Sequence, residues 1–430
     1  MNPEFQRQLY LEYSPARLLG IPMVLGIMFT LSFFLDDHRL GTATANTAMV
    51  LFMLISLLWG ARQTIDSILE EYRERTWDTQ RLSALGPWEM VWGKLFGSTS
   101  MVWYAGALCL MMYCLAKDDS AALSALIFYS VCAALLVQSI GLLMGLLAVQ
   151  RDQDQTNSNS LFVIVVIALL AVTPWLMGIA NITPYSLQYT NQNWYGMQLN
   201  SHQFHQISLL LALFWGGIGN YRLMTQELGI RTLPWVWLCF CLFLMIYLGG
   251  FIPSGFFSMS LAAFSVFSAL TYLGMLVERQ DAMRIKRLTS YFIAGNWRRC
   301  GEEIPLWWLS YLLCIPAAMI LSFSDNPITQ FGASFHIYPL AVLLILLRDC
   351  SIYLYFAYGK NPQRAMSLTL LTGVLLYGVM PGIFTAIGQN QLAAWFFPLW
   401  ADSTIGAVSS SALQVIFIVH VTFKRWKSST

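Results

Sequence analysis

Charged side chains are scarce in this chain. Asp, Glu, Lys and Arg make up 11% of its 430 residues, less than half of the roughly one quarter found in soluble domains. That shortage excludes an ordinary soluble protein. With 57% hydrophobic residues it also excludes disorder, which requires polar, charged sequence. Histidine is rarer still: His38, His202, His205, His336 and His420 are scattered and do not offer the converging groups that a membrane enzyme needs. His202-x-x-His205 sits in an uncharged stretch, and surface polar residues are its expected role rather than metal ligands. The eight cysteines fall in apolar stretches or on the inner face, which excludes a secreted disulfide scaffold. No GxxxxGK[ST] phosphate-binding run occurs; Gly93-Lys94 lacks the upstream glycine and the following Ser or Thr. The net charge of +2 gives no reason to expect nucleic acid as a partner.

What is present is apolar sequence in long runs. A bilayer core about 30 Å thick needs about 20 apolar residues per helix, and that ruler marks twelve spans. They cover approximately Arg17–Leu35, Thr47–Ile65, Gly97–Leu115, Leu123–Val149, Leu161–Ile179, Gln206–Tyr221, Leu233–Ile252, Phe256–Val277, Pro305–Ser322, His336–Tyr358, Met366–Ile387 and Thr404–Phe423. The even number places both termini on one side. With the N-terminus inside, Arg39 and Lys117 are the basic residues of outer loops and Arg348 falls within a span. The remaining 21 of the 24 Lys and Arg then lie on the inner face, as the positive-inside rule requires. Outer loops carry acids instead: Asp36, Asp37, Asp118, Asp119, Asp325 and Asp402. The polar opening Met1–Arg17 has no cleavage site before a short apolar core, so the first span is expected to remain. The expected fold is an all-α polytopic membrane protein with cytoplasmic termini.

Two long inner segments stand out. Residues 68–97 (ILEEYRERTWDTQRLSALGPWEMVWGKLFG) join the second and third spans, and residues 276–304 join the eighth and ninth. Arg81-Leu82-Ser83 aligns with Arg287-Leu288-Thr289, and each half opens with a basic residue before a proline, Arg17 to Pro22 and Arg231 to Pro234. The chain therefore reads as two six-span halves, residues 1–228 and 229–430. Helical spacing across Glu70–Leu85 groups Trp77, Leu82 and Leu85 and turns Glu71, Arg75 and Asp78 elsewhere, an amphipathic pattern. Gly86-Pro87 breaks the helix. Trp88, Trp92 and Lys94 then restart one with aromatic and basic anchors at the membrane surface. Such a segment is either a snorkelling interfacial loop or a docking element for a soluble partner.

The stretch ERTWDTQRLSALGPWEMVWGKLFG resembles the signature of permease subunits of ABC exporters of the ABC-2 type, also called type V. The opening NPEFQRQLYLEYSPARLLG is similar to that family's N-terminal interfacial helix, and YRLMTQELGIRTLPWVW to its counterpart in the second half. Two departures are visible: Arg75 stands where the family has glycine before the threonine, and Cys300-Gly301-Glu302-Glu303 replaces the Gly-Lys pair in the second half. The resemblance implies two six-span units around a central cavity, here fused in one chain. It also implies short inner helices seated in grooves of separate ATPase subunits, two copies of one chain or two different chains. By carry-over, Arg73, Glu74, Arg75, Thr76, Trp77, Asp78, Arg81 and Leu82 form the first coupling element. Arg279, Arg284, Arg287, Leu288 and Thr289 form the second. No cofactor is expected on this chain; ATP and Mg would be bound by the partner ATPase. A bacterial inner membrane is the expected location, and the cargo is not specified by the sequence.

Ionisable residues within spans are costly and worth naming. Arg348 and Asp349 lie near the middle of the tenth span and, as helix neighbours about 100° apart, are each expected to find a different partner. They are read as a structural polar contact or a lining of the cavity. Asp152-x-Asp154 is read as a solvated cap, and the Asn181-Ile182-Thr183 sequon carries no weight. Asn181–Gln206 is a neutral outer loop, while Leu392–Trp400 is too short to cross and reads as a re-entrant piece or an aromatic belt anchor. A twelve-span secondary transporter is the alternative function. It calls for several intramembrane carboxylates, and this sequence offers one candidate pair.

Overall fold

The computed structural model describes residues 2–117, 120–150, 191–252, 255–278, 280–323, 338–397 and 403–429. The expected span Leu161–Ile179, the Asp152-x-Asp154 cap, the Asn181 sequon, Asp118, Asp119, Asp325, Asp402, His336 and Arg279 lie outside these residues. Eight helices of the described residues are long and apolar enough to cross a membrane, or up to ten if each of two bent pairs is one span. Two compact units emerge: Met1–Gln192 with Gln198–Thr232, and Asn193–Met197 with Leu233–Thr430.

The first unit opens with α1 (Pro3–Glu12), whose start follows from its sequence. The Asn2 side chain accepts from the Glu4 and Phe5 amides at 2.9 and 3.4 Å, and Pro3 occupies the first turn, where its missing N–H costs nothing. Helix α2 (Pro15–Leu35) is built alike, with Ser14 as its cap. The second span runs farther than its apolar stretch suggests. Helix α3 (Thr42–Met53), a π-helical segment at Leu54–Trp59 and α4 (Gly60–Arg73) are counted together as one 32-residue span. After the short α5 (Trp77–Arg81), α6 (Pro87–Ser98) and α7 (Ser100–Ala116) form a pair bent by 52°. Helix α8 (Ser120–Gln150) packs along α4. Small residues set that approach: a Cβ at Gly141 would lie 2.7 Å from the Ala61 carbonyl oxygen, and Gly145 faces Ile65 and Ile68. Polar bonds lock the bundle where no water can serve the groups. Gln138 donates to the Ser56 carbonyl at 3.0 Å and accepts from Trp103 at 3.1 Å. Asn220, on α9 (Ser201–Glu227), donates to Ser139 Oγ at 2.8 Å.

Part of the expected neutral loop before α9 is structured. Strands β1 (Asn191–Trp194) and β2 (Met197–Asn200) flank Tyr195-Gly196, whose φ values of 50° and 77° suit a tight two-residue hairpin turn. Alternating polar and aromatic residues around a glycine were the available signal. His202 is not a free surface residue: Tyr129 Oη lies 2.8 Å from its Nδ1.

In the second unit, Trp194 Nε1 donates to the Tyr247 carbonyl at 3.1 Å at the end of α10 (Trp235–Gly249), which at 15 residues is shorter than an unaided crossing. Helix α11 (Phe256–Val277) packs on α14 (Leu306–Ser322), with Phe264, Phe267, Leu270, Cys314 and Ala318 buried between them and their neighbours. Between these two run α12 (Ala282–Ile293) and α13 (Trp297–Glu303), the latter bent by 97° from α14. Helix α15 (Pro339–Ala357) packs on α19 (Thr404–Ser429). Helices α16 (Ala365–Val374) and α17 (Met380–Ala386) flank a π-helical turn at Leu375–Val379. The expected re-entrant piece contains α18 (Asn390–Phe396), seated on α17 with Phe396 stacked on Phe384 at 5.7 Å; residues 398–402 are not described.

Candidate functional site

The structure breaks the amphipathic helix expected over Glu70–Leu85. Helix α4 stops at Arg73, and Arg75 takes φ 59°. The Thr76 amide donates to the Glu71 carbonyl at 3.0 Å and the Arg75 amide to that of Tyr72 at 3.2 Å. This is the left-handed helix stop that usually holds glycine, so the residue that departs from the family pattern sits where the backbone asks for glycine. The consequence is that Trp77 and Leu82 do not share a face. Trp77 is 1% exposed and Leu82 is 88% exposed.

Glu71 and Lys94 are likewise corrected. Glu71 does not turn outward and Lys94 is no surface anchor; both are buried, Lys94 with 0% exposure. The reason is α1, which lies on α6. A Cβ at Gly93 would stand 2.6 Å from Glu4 Cβ, and one at Gly97 2.6 Å from Gln8 Cβ, so two glycines one turn apart admit the neighbouring helix. Asn2 Nδ2 donates to the Glu89 carbonyl at 2.6 Å and fixes the register. Lys94 then meets Glu4 at 3.4 Å and pairs with Glu71. Arg7 bonds Glu4 at 2.8 Å and pairs with Glu71, while Gln8 donates to both carboxylates at 3.1 Å. Two carboxylates and two cations cancel, which is what lets a buried ionic cluster persist. Burial alone would push the Glu4 carboxyl up, but the hydrogen bond from Arg7, the charge of Lys94 and the bond from Gln8 outweigh it and hold it at about 2. The Lys94 ammonium also lies 5.2 Å from the Trp77 ring centroid, and Trp77 Nε1 donates to Glu227 at 3.4 Å. Thus α5 is pinned through one tryptophan to α4, α6, α1 and the end of α9.

Around that pin the other residues of the first element stay in water. Arg73, Glu74, Arg75, Thr76, Asp78, Arg81 and Leu82 are exposed, with Arg81 at 3.7 Å from Asp78. The resemblance grouped these residues; the sequence reading missed Glu4, Arg7, Gln8 and Glu227, whose polarity reads as surface. The signal that could have found α1 was the Gly93-x-x-x-Gly97 spacing.

The second element is arranged differently. Arg284 turns inward, donating to Glu278 at 2.5 Å and to the Glu303 and Ile304 carbonyls at 2.9 and 3.1 Å. Leu288 is buried. Arg287 and Thr289 are exposed. Arg287 bonds Glu303 at 3.2 Å, and that bond pushes the guanidinium up.

The mid-span pair is also corrected. Arg348 and Asp349 bond each other, Nε and Nη2 to Oδ1 at 3.0 and 2.9 Å, because the long arginine side chain spans the angle between adjacent positions. Each has further partners: Arg348 donates to Gln414 at 2.6 Å, and Asp349 accepts from Tyr272 at 2.9 Å and from Tyr377. Gln414 donates in turn to the Trp395 carbonyl at 2.6 Å, which ties α18 to α19 and α15.

Long apolar helices cross-linked by buried hydrogen bonds such as those of Gln138 and Asn220 define an integral, polytopic α-helical membrane protein. A family model described as ABC-2 family transporter protein matches residues 35–252, half of the chain. The chain belongs to this family and is the permease subunit of an ABC transporter. No curated protein and no solved structure matches it. The matched stretch contains Glu71, α5, Gly93 and Lys94; the α1 residues that complete the cluster precede it.

Proposed function

We propose that this chain is the permease of an ATP-driven exporter in a bacterial inner membrane, and that separate ATPase subunits, carrying ATP and Mg, dock on α5. One observation supports this most directly. Exposed, mixed-charge residues from Arg73 to Leu82 surround a single buried tryptophan that is packed into the cluster joining α4 to α6. A surface of Arg73, Arg75, Arg81, Glu74 and Asp78 suits a protein groove that carries both signs of charge. A push on α5 meets Trp77, then Lys94 and Glu71, and so reaches α6 and the bent α6–α7 pair. Rigid transmission needs such contacts, since a solvated loop would absorb the motion. In this reading nucleotide-driven closure of two ATPases moves α5, and the cargo pathway opens outward.

Asp349 supports the exporter over a secondary transporter. Coupling to a cation needs a carboxylate that can bind and release it. Asp349 is instead occupied by Arg348, Tyr272 and Tyr377.

The test is charge reversal, Arg75→Glu with Arg81→Glu, in the full chain reconstituted with its ATPase. Insertion should be unchanged, while stimulated ATP hydrolysis and transport lose their coupling. Normal coupling in that variant refutes docking at α5.

A further inference from the structure

We infer that the turn joining α12 to α13 is an anchor for an anionic phospholipid leaflet, and that it does not duplicate the ATPase docking surface of α5. The inference goes beyond the function proposed above and rests on three features of residues 282–303.

The first is charge. Residues 282–303 carry five basic residues, Arg284, Lys286, Arg287, Arg298 and Arg299, against two acids, Glu302 and Glu303, a net charge of +3. The α5 segment mixes both signs, as a protein groove would require. A net basic stretch complements an anionic surface. The second is apolar exposure. Met283, Phe292, Ile293 and Trp297 stand out from the unit, Ile293 at 85% and Trp297 at 70%. Phe292 and Trp297 contact edge to face at 5.4 Å across Gly295, whose φ of 69° turns the chain sharply enough to bring both rings to one tip. Aromatic side chains next to arginine are what the bilayer interface selects. The third is orientation. Helix α13 is bent 97° from α14, so with α14 crossing the bilayer α13 lies along the membrane plane. The tip is then held at headgroup level.

The inward groups make this posture rigid. Arg284 ties α12 to Glu278, Glu303 and Ile304, and the Leu306 amide donates to Glu278 at 2.8 Å. Leu288 and Cys300 are buried in the angle between α12 and α13. Lys286, Arg298 and Arg299 are therefore exposed together with Met283, Phe292, Ile293 and Trp297.

The experiment places a photocrosslinker in the full chain, Ile293→p-benzoylphenylalanine, reconstituted with and without its ATPase. Vesicles are either phosphatidylcholine alone or an equimolar mixture with phosphatidylglycerol. The expected result is a phospholipid adduct favoured by the anionic vesicles, with or without the ATPase. Adding Arg298→Gln and Arg299→Gln should lower its yield by about fivefold for each charge removed. Unchanged hydrogen exchange of α12 in that variant shows that the fold is kept. An adduct to the ATPase, equal yields in both vesicle types, or no adduct at all each overturns the inference. The same crosslinker at Leu82 tests docking at α5 separately, so either idea can fail alone.

Discussion

Lys94→Met is the most telling perturbation of the buried ionic cluster that seats α1. Lys94 is fully buried between Glu4 and Glu71, and its removal leaves two carboxylates facing one arginine that is itself partly in water. Breaking a buried ion pair from one side costs about 3–5 kcal/mol. Releasing α1 is the cheapest response, because that returns Glu4 to water. Taking about 3 kcal/mol as the loss, α1 should open on the order of 100-fold more often. Hydrogen exchange of residues 2–12 reads this directly, with α11 and α15 of the other unit as unaffected references. Neutralising the whole cluster, Glu4→Gln with Glu71→Gln and Lys94→Met, should recover most of the protection, because the uncompensated charge is gone. Acidity gives a second reading. The Glu4 carboxyl is lowered from 4.5 to about 2, so its contribution is complete above pH about 4.5 and lost as pH falls through about 2. Lys94→Met removes one cause of that lowering, so the acid-dependent loss should still begin near pH 4.5 but be smaller and complete at higher pH. Unchanged protection of α1 in Lys94→Met, with the variant folded, would refute the claim that this cluster seats the helix.

Other substitutions separate packing, polar and backbone effects. Gly97→Ala gains up to about 1 kcal/mol of helix propensity but places a methyl 2.6 Å from Gln8 Cβ; overpacking at about 1–3 kcal/mol should win, raising exchange in α1. Gly20→Ala on α2, with nothing within 4 Å, should show no such penalty. Arg348→Met strands Asp349 within the span and should lower the thermal midpoint of the solubilised chain by an amount matching about 3–5 kcal/mol. Gln414→Leu keeps the Arg348–Asp349 bond and loses the link to Trp395, so its drop should be clearly smaller. Arg75→Gly relieves a left-handed arginine and should stabilise the α4–α5 junction by about 1 kcal/mol, read as slower exchange at Thr76 and Trp77. If Arg75 also touches the ATPase, the same variant becomes more stable and less well coupled.

How much of this could be read beforehand depends on the range of the interaction. Spans are local: 20 apolar residues announce themselves, and Pro15–Leu35, Phe256–Val277 and Pro339–Ala357 fall close to where composition put them. Caps are local too, and Asn2-Pro3 and Ser14-Pro15 start α1 and α2 as their chemistry dictates. The errors at Glu71 and Lys94 concern partners distant in sequence. Glu71 and Lys94 are 23 residues apart and Glu4 is 67 residues from Glu71; no periodicity shows that these three and Arg7 neutralise one another. Each taken alone reads as solvated, since a lone charge in the interior is forbidden. Arg348 failed for a different reason, because the angle between Cβ vectors says nothing about the reach of a guanidinium on a flexible stem.

The resemblance, by contrast, drew attention to Gly93 and Lys94 without giving their physics. Gly93 and Lys94 look like an entry signal for a span, yet the structure assigns them complementary tasks: the glycine admits the backbone of α1, and the lysine cancels the carboxylates that the close approach buries. Neither works without the other. A larger residue at 93 would hold Glu4 away from the ammonium, and a neutral residue at 94 would leave Glu4 and Glu71 buried with too little positive charge. In this chain the glycine-lysine pair seats the N-terminal helix as long as Glu4 and Glu71 carry their charges. The second half, which has Gly301-Glu302 in its place, ties α12 and α13 together through Arg284 and Glu303 within one continuous segment.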